Sequence, residues 1–235
     1  MGILKRGLIV SCQATVEEPM HGSDIMARMA IAAKWGGAVA VRVNTYSDLL
    51  AVRKAVDIPI LGLIKQQYEG YYPYITPTMK EVDLVVDSGA EIVCVDATSY
   101  PRPDGNDLKT FISMIREKHP DVEILADVST AEEGIYAASL GVDYVATTLS
   151  GYTPDTIDKN ASVIQEFREP DFAIIEKLVE SIDTPIVAEG KFWDAENAIK
   201  ALKLGAYAVT IGAGITRPQI ITKKIVDEIN NNVDL

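Results

Sequence analysis

Leu202-Lys203-Leu204-Gly205-Ala206-Tyr207-Ala208 is the last of four copies of one pattern, in which a helical stretch ends at a glycine and a short apolar strand follows. The earlier copies are Ala33-Lys34-Trp35-Gly36-Gly37-Ala38-Val39, Val86-Asp87-Ser88-Gly89-Ala90-Glu91-Ile92 and Ala138-Ser139-Leu140-Gly141-Val142-Asp143-Tyr144. Glycine at that place supplies the left-handed residue with which helices commonly end. Strands of a second type alternate with these: Ile58-Pro59-Ile60-Leu61, Val122-Glu123-Ile124-Leu125 and Thr184-Pro185-Ile186-Val187. With an opening strand, Gly7 to Cys12, the alternation yields eight β/α units, which is what a closed (β/α)8 barrel requires. An open doubly wound sheet does not ask for such even repetition to the end of the chain. Helix starts keep the same phase. Thr78-Met79-Lys80-Glu81 and Ser129-Thr130-Ala131-Glu132 fit capping boxes, and Asp194 fits an N-cap before Ala195.

Length and composition agree. The 235 residues are 48% hydrophobic and 24% charged, which suits one well-buried core, so residues 1–235 are read as a single barrel domain. A net charge of −12 argues against nucleic acid or an anionic membrane as a partner. Two cysteines, Cys12 and Cys94, make no disulfide framework and suit a reducing cytoplasm. Two histidines without a Cys or His cluster make a transition-metal site improbable, and no metal ligands are assigned. Lys5-Arg6 before Gly7-Leu8-Ile9-Val10-Ser11-Cys12 faintly resembles a lipoprotein signal, but the apolar run is too short for one. No run approaches membrane-spanning length.

In this fold the active site lies at the C-terminal ends of the strands. The second strand is expected over Ala38 to Val41, ending at Arg42. The third ends at Lys65, the fourth at Asp96, the fifth at Asp127, the sixth at Thr148, the seventh at Glu189 and the eighth at Gly212. Leu63 and Lys65 share a face, as do Cys94 and Asp96, Leu125 and Asp127, and Val187 and Glu189. If the first of each pair fills the barrel, the second projects into its mouth. The turns after the last two strands hold Glu189-Gly190 and Gly212-Ala213-Gly214, followed by a helix beginning near Ile215 and by Arg217. Two glycine-bearing turns, a helix N-terminus and a cation suit a phosphate. The plainer reading is two ordinary strand-to-helix turns. Two long loops, Gln66 to Pro77 with four tyrosines and Leu149 to Pro170, are lids, walls or subunit contacts.

Lys65 and Glu189 would face each other across the barrel. Two proton-transfer groups on opposite faces of one carbon are what inversion of a C–H centre needs. Arg42 would lower the lysine pKa and polarise a carbonyl, and Asp127 would orient Lys65 or a substrate hydroxyl. The same lysine also suits a Schiff-base aldolase. The chain has no Rossmann glycine-rich turn after its first strand, no Walker motif and no zinc motif, which favours cofactor-free proton chemistry.

Several motifs are specific enough to name a family. Leu8-Ile9-Val10-Ser11-Cys12-Gln13, Met29-Ala30-Ile31-Ala32-Ala33, Tyr74-Ile75-Thr76-Pro77-Thr78, Asp96-Ala97-Thr98, Thr147-Thr148-Leu149-Ser150-Gly151-Tyr152-Thr153, Ala188-Glu189-Gly190 and Gly214-Ile215-Thr216-Arg217-Pro218 run from the first strand to the last helix. Together they resemble the N-acetylmannosamine-6-phosphate 2-epimerase family. The resemblance implies a barrel of the ribulose-phosphate-binding type that interconverts N-acetylmannosamine 6-phosphate and N-acetylglucosamine 6-phosphate in sialic acid catabolism. It implies no cofactor and no metal. Lys65 and Glu189 would be the acid/base pair, assisted by Asp127. Gln13, Arg42, Thr148 and Tyr152 would contact the sugar, and Gly190, Gly212, Ala213 and Arg217 would hold the phosphate. The partner would be a phosphorylated N-acetylhexosamine, with a cytoplasmic homodimer expected. This chain departs from the family at Gln66-Gln67, where Arg and an acidic residue often stand, and at Gly212-Ala213-Gly214, where Gly-Gly-Ala is frequent. A phosphosugar decarboxylase or isomerase, a Schiff-base aldolase and a non-catalytic amino-sugar-phosphate sensor are the competing readings.

Overall fold

The computed structural model describes residues 2–157 and 169–233. Eight parallel strands close on themselves in chain order: β1 (Gly7–Cys12), β2 (Ala40–Asn44), β3 (Ile60–Leu63), β4 (Ile92–Asp96), β5 (Glu123–Asp127), β6 (Tyr144–Ala146), β7 (Ile186–Ala188) and β8 (Ala208–Ile211). β1 pairs with β8 with Gly7 opposite Ala208, which shuts the cylinder. Around it run α1 (Ser23–Trp35), α2 (Tyr46–Ala55), α3 (Met79–Asp87), α4 (Leu108–Lys118), α5 (Ala131–Ser139), α6 (Phe172–Ser181), α7 (Ala195–Lys203), the short α8 (Ala213–Thr216) and α9 (Pro218–Asn232). This is a (β/α)8 barrel.

The glycine repeat marks the helix ends as expected. Gly37, Gly89, Gly141 and Gly205 have φ of 91°, 83°, 80° and 111°, a region costly for any side chain. In the first copy the second of the two glycines takes this role; Gly36 is still helical at φ −72°. Thr78 and Glu81 form the expected capping box. The box before α5 lies one residue later than expected. Thr130 caps and Glu133 answers, because the Glu133 carboxylate also takes the Ser129 hydroxyl and the backbone N–H of Ser129. Asp194 caps α7 through the N–H of Asn197.

Alternation divides the buried apolar residues into two sets. Outward-facing strand residues such as Val41, Val93, Ile124 and Val209 pack under the helices. Inward-facing Ile9, Ala40, Leu61, Leu63, Ile92, Cys94, Leu125, Ala146, Val187 and Ala208 fill the barrel. The N-terminal segment stoppers the lower end with Leu4, which is 1% exposed. Its N–H donates to the Tyr144 hydroxyl (3.1 Å), while its carbonyl accepts from the Tyr207 hydroxyl (2.8 Å). The N–H of Ile3 donates to Glu123 at 2.9 Å. Burying such a leucine stabilises by about 1.5–3 kcal/mol. α9 differs from the other long helices: none of its described residues is buried, and Ile225, Val226 and Ile229 are exposed.

Candidate active site

The inward face of each strand changes from apolar to polar on the way up. On β2 the order is Ala40, Arg42, Asn44, and all three are buried. The expected end of this strand was two residues short. Arg42 lies inside β2, paired by register with Ser11 and Leu61, and the strand runs on to Asn44. Asn44 extends the rim by accepting the N–H of Lys65 at 2.8 Å.

Arg42 is 1% exposed and joins three strands. Its guanidinium donates to Glu189 at 2.5 Å, to Asp127 at 2.8 Å and to the Thr148 hydroxyl at 3.1 Å. Thr148 donates onward to Asp127 at 2.5 Å. Burial raises the Asp127 pKa to about 6, with the Glu189 charge adding to it and Arg42 and Thr148 opposing. Arg42 itself is held charged, because the two carboxylates outweigh its own desolvation. A single buried cation between two carboxylates resists removal, since either anion left alone would be strongly disfavoured.

Lys65 stands on the opposite wall, four strands from β7 around the barrel. Among the described residues its Nζ has no hydrogen-bond partner. Water still reaches it, so it counts as exposed. Crowding by the cavity walls lowers its pKa to about 8; Arg42 and Arg217 act in the same direction, and Glu189 and Asp127 oppose. A sizeable neutral fraction at neutral to mildly alkaline pH follows.

The other side of the cavity is made of backbone. Gly190 has φ +100° and Lys191 φ +66°, so the turn after β7 curls back over the rim. α8 begins at Ala213, two residues earlier than expected. Gly212 stands at its N-cap, and the N–H groups of Ile215 and Thr216 both return to the Gly212 carbonyl. The N–H groups of the first turn have no such acceptor within the helix. Gly214 is required here for closeness: a Cβ on it would meet the Trp193 carbonyl oxygen at 2.6 Å. Only glycine lets the β7 and β8 turns lie side by side. Thr216 fastens α8 to β1 by donating to the Ser11 carbonyl at 2.6 Å.

These walls enclose a cavity of about 210 Å³. Gln13, Lys65, Thr148, Tyr152, Glu189, Gly190, Gly212, Ala213 and Arg217 all line it. Arg42 and Asp127 lie beneath, bonded to Glu189 and Thr148. Ser11, Tyr74, Lys191, Trp193 and Thr210 also line it and were not singled out from the sequence. For Ser11 and Thr210 the signal was present, since they continue the inward faces of Ile9 and Ala208. For Lys191 it was not: its position depends on a positive φ that the sequence does not announce.

The tyrosine-bearing loop forms one wall of the site. It folds back on β3 through an antiparallel bridge between Lys65 and Ile75, placing Ile75 in the barrel interior. Tyr72 donates to the Tyr152 carbonyl at 2.7 Å and packs against Tyr100 at a tilt of 42°, with ring centroids 4.5 Å apart. Asp96 serves this wall rather than the cavity. It accepts from the N–H and hydroxyl of Thr98 and from the N–H of Tyr74. The second long loop, Leu149 to Pro170, is described up to residue 157 and from 169; its mixed-charge tail lies outside the described residues.

Residues 26–231 match the model of the family described as "Putative N-acetylmannosamine-6-phosphate epimerase". The chain belongs to this family. Among relatives of the epimerase family, one from Caldanaerobacter subterraneus subsp. tengcongensis, named "Putative N-acetylmannosamine-6-phosphate 2-epimerase", is 52% identical over 95% of this chain and 91% of its own. One of the same name from Listeria welshimeri is 45% identical over 97% and 94%. The solved N-acetylmannosamine-6-phosphate 2-epimerase from Clostridium perfringens is similar with a TM-score of 0.88 and 44% identity, over 96% of this chain and 94% of that one. A thiamine phosphate pyrophosphorylase from Pyrococcus furiosus shares the fold, with a TM-score of 0.58 at 20% identity.

Proposed function

We propose that this epimerase-family chain interconverts N-acetylmannosamine 6-phosphate and N-acetylglucosamine 6-phosphate by moving one proton at C2. The observation that carries the reading is Lys65: an amine with no hydrogen-bond partner among the described residues and a lowered pKa, set across the cavity from a carboxylate that Arg42 holds in place. In the open-chain sugar the C2–H bond adjoins C1=O. Removal of the proton leaves its electron pair as an enolate with charge on O1. Return of a proton to the opposite face restores the aldehyde and inverts C2. The sum is redox-neutral and needs no co-reactant.

Lys65 and Glu189 take the two faces. Glu189 Oε2 is occupied by Arg42, while Oε1 has no hydrogen-bond partner among the described residues, so one oxygen is anchored and the other is left for the proton. Arg42 offsets charge at O1, and Asp127 with Thr148 fixes the Arg42 plane. Gln13, Thr148 and Tyr152 contact the sugar. Backbone N–H groups of Gly190, Gly212 and Ala213, with Arg217, hold the phosphate, so the grip survives the exchange to Gly212-Ala213-Gly214. We further read residues 1–235 as one domain acting in the cytoplasm in sialic acid catabolism. The exposed apolar side of α9 supports a homodimer. No helix among the described residues is long and apolar enough to cross a membrane.

Proton NMR of the protein with N-acetylmannosamine 6-phosphate in D2O tests the reaction. The expected result is N-acetylglucosamine 6-phosphate with deuterium at C2, abolished in Lys65→Met. Binding without turnover would overturn the epimerase in favour of a sensor. Borohydride trapping of Lys65 would favour the aldolase.

A further inference from the structure

Arg217 does not hold its position alone. It is the residue between α8 and α9, with φ −118° and ψ 77°, and its side chain is 27% exposed. A guanidinium at a helix junction beside open water has many rotamers, and ordering it on binding costs free energy. In this chain the ordering is done in advance by a carboxylate from the other end of the sequence. Glu18, in the connection between β1 and α1, places Oε1 3.1 Å from Arg217 Nε. The same oxygen accepts from the Gln219 amide at 3.0 Å. Its other oxygen accepts the N–H of Thr15 at 2.8 Å, and its backbone N–H donates to the Thr15 carbonyl at 3.0 Å. Glu18 is therefore itself fixed, by a closed turn on one side and by α9 on the other. Its side chain is 17% exposed.

The contact is made to Nε, the inner edge of the guanidinium. That leaves the outer fork, with its two terminal nitrogens, for a ligand in the cavity that Arg217 lines. A planar fork binds a phosphate through two parallel bonds only when its plane is set. We propose that Glu18 is a positioning residue for phosphate recognition: it clamps Arg217 by Nε so that the guanidinium fork meets the phosphoryl group of the substrate. This rests on the reading of Arg217 as a phosphate ligand. Glu18 touches no reacting atom. Its effect belongs to binding of the phosphoryl group, which is present alike in substrate, product and inorganic phosphate.

Steady-state kinetics on Glu18→Ala, Glu18→Gln and Arg217→Met, each also combined, test the clamp, with inorganic phosphate as a competitive probe. Glu18→Ala is expected to raise KM and the phosphate inhibition constant together by about tenfold, the loss of the part-buried ion pair that orders the Arg217 guanidinium. kcat is expected to change by less than about twofold, since the interaction is equal in ground and transition states. Glu18→Gln keeps the Thr15 and Gln219 contacts but removes the charge beside Nε, so it should show most of the Glu18→Ala loss. In an Arg217→Met background Glu18→Ala should add nothing further. An equal effect of Glu18→Ala with and without Arg217, or a fall in melting temperature with KM unmoved, would overturn the clamp and leave Glu18 a loop-folding residue. If Arg217→Met leaves KM and phosphate inhibition unchanged, the phosphate assignment of Arg217 fails, and the clamp with it. If Arg217→Met weakens both and Glu18→Ala weakens neither, only the clamp fails.

Discussion

The two halves of the cavity are made of different material. On the β7–β8 side the work falls to peptide groups: Gly190 at positive φ, Gly212 at the head of α8, and Gly214 pressed against the Trp193 carbonyl. On the β2–β6 side it falls to side chains: Arg42, Asp127, Thr148 and Lys65. Glu189 belongs to both, with its backbone in the turn and its carboxylate on Arg42. The peptide side depends on the path of the chain and tolerates exchange of one small residue for another. The side-chain side depends on charge balance. Here Arg42 pairs with both Asp127 and Glu189, and its loss leaves two carboxylates without their cation.

Breaking that balance gives the largest expected effect. Arg42→Met leaves Asp127 and Glu189 buried without their cation and should destabilise the fold by about 3–5 kcal/mol, read by urea denaturation. A protein of unchanged stability would mean that the carboxylates find another partner. The next effect is tenfold per pH unit. In the two-group reaction Lys65 and Glu189 hold one proton between them in either direction. As pH rises through about 8 the pair loses it, so kcat/KM should fall above that value, with the same limb measured from either sugar phosphate. A limb that rises through about 8 would assign both proton transfers to neutral Lys65 and release Glu189 from acid–base work. The smallest effect belongs to the peptide side. Ala213→Gly keeps the N–H and should change KM by less than about fivefold, the equivalent of ~1 kcal/mol of helix propensity. A larger rise would show that the Ala213 methyl shapes the pocket.

The fold was legible in the sequence because it rests on local rules repeated many times. A glycine at each helix end and two alternating strand types need no long-range knowledge, and eight units leave one closed arrangement. The rim residues were legible for the same reason, since period two carries Leu63 to Lys65 and Val187 to Glu189. What was hidden depends on relations between distant segments. The shift of β2 by two residues follows from pairing with β1 and β3, which turns Arg42 from a strand end into a central post. Asp96 has the same local pattern as Asp127, yet its partners Tyr74 and Thr98 make it part of a wall. Glu18 and Arg217 are far apart in the chain, and no spacing connects them. The shift of the α5 cap from Ser129 to Thr130 reflects the reach of Glu133, one residue beyond the glutamate that the local pattern favoured.

The seam between β1 and β8, with Gly7 opposite Ala208, also governs the order in which the molecule can be completed. A ribosome adding ~5–20 residues per second releases β8 about 10–40 s after β1. For that interval one edge of β1 has no neighbour, and Leu4, which stoppers the barrel, lacks the Tyr207 hydroxyl that its carbonyl binds. The nascent chain therefore has an unpaired β1 edge until β8 is made. Its hazard in the cell is greatest before it is finished, when another chain can take the place reserved for its own last strand.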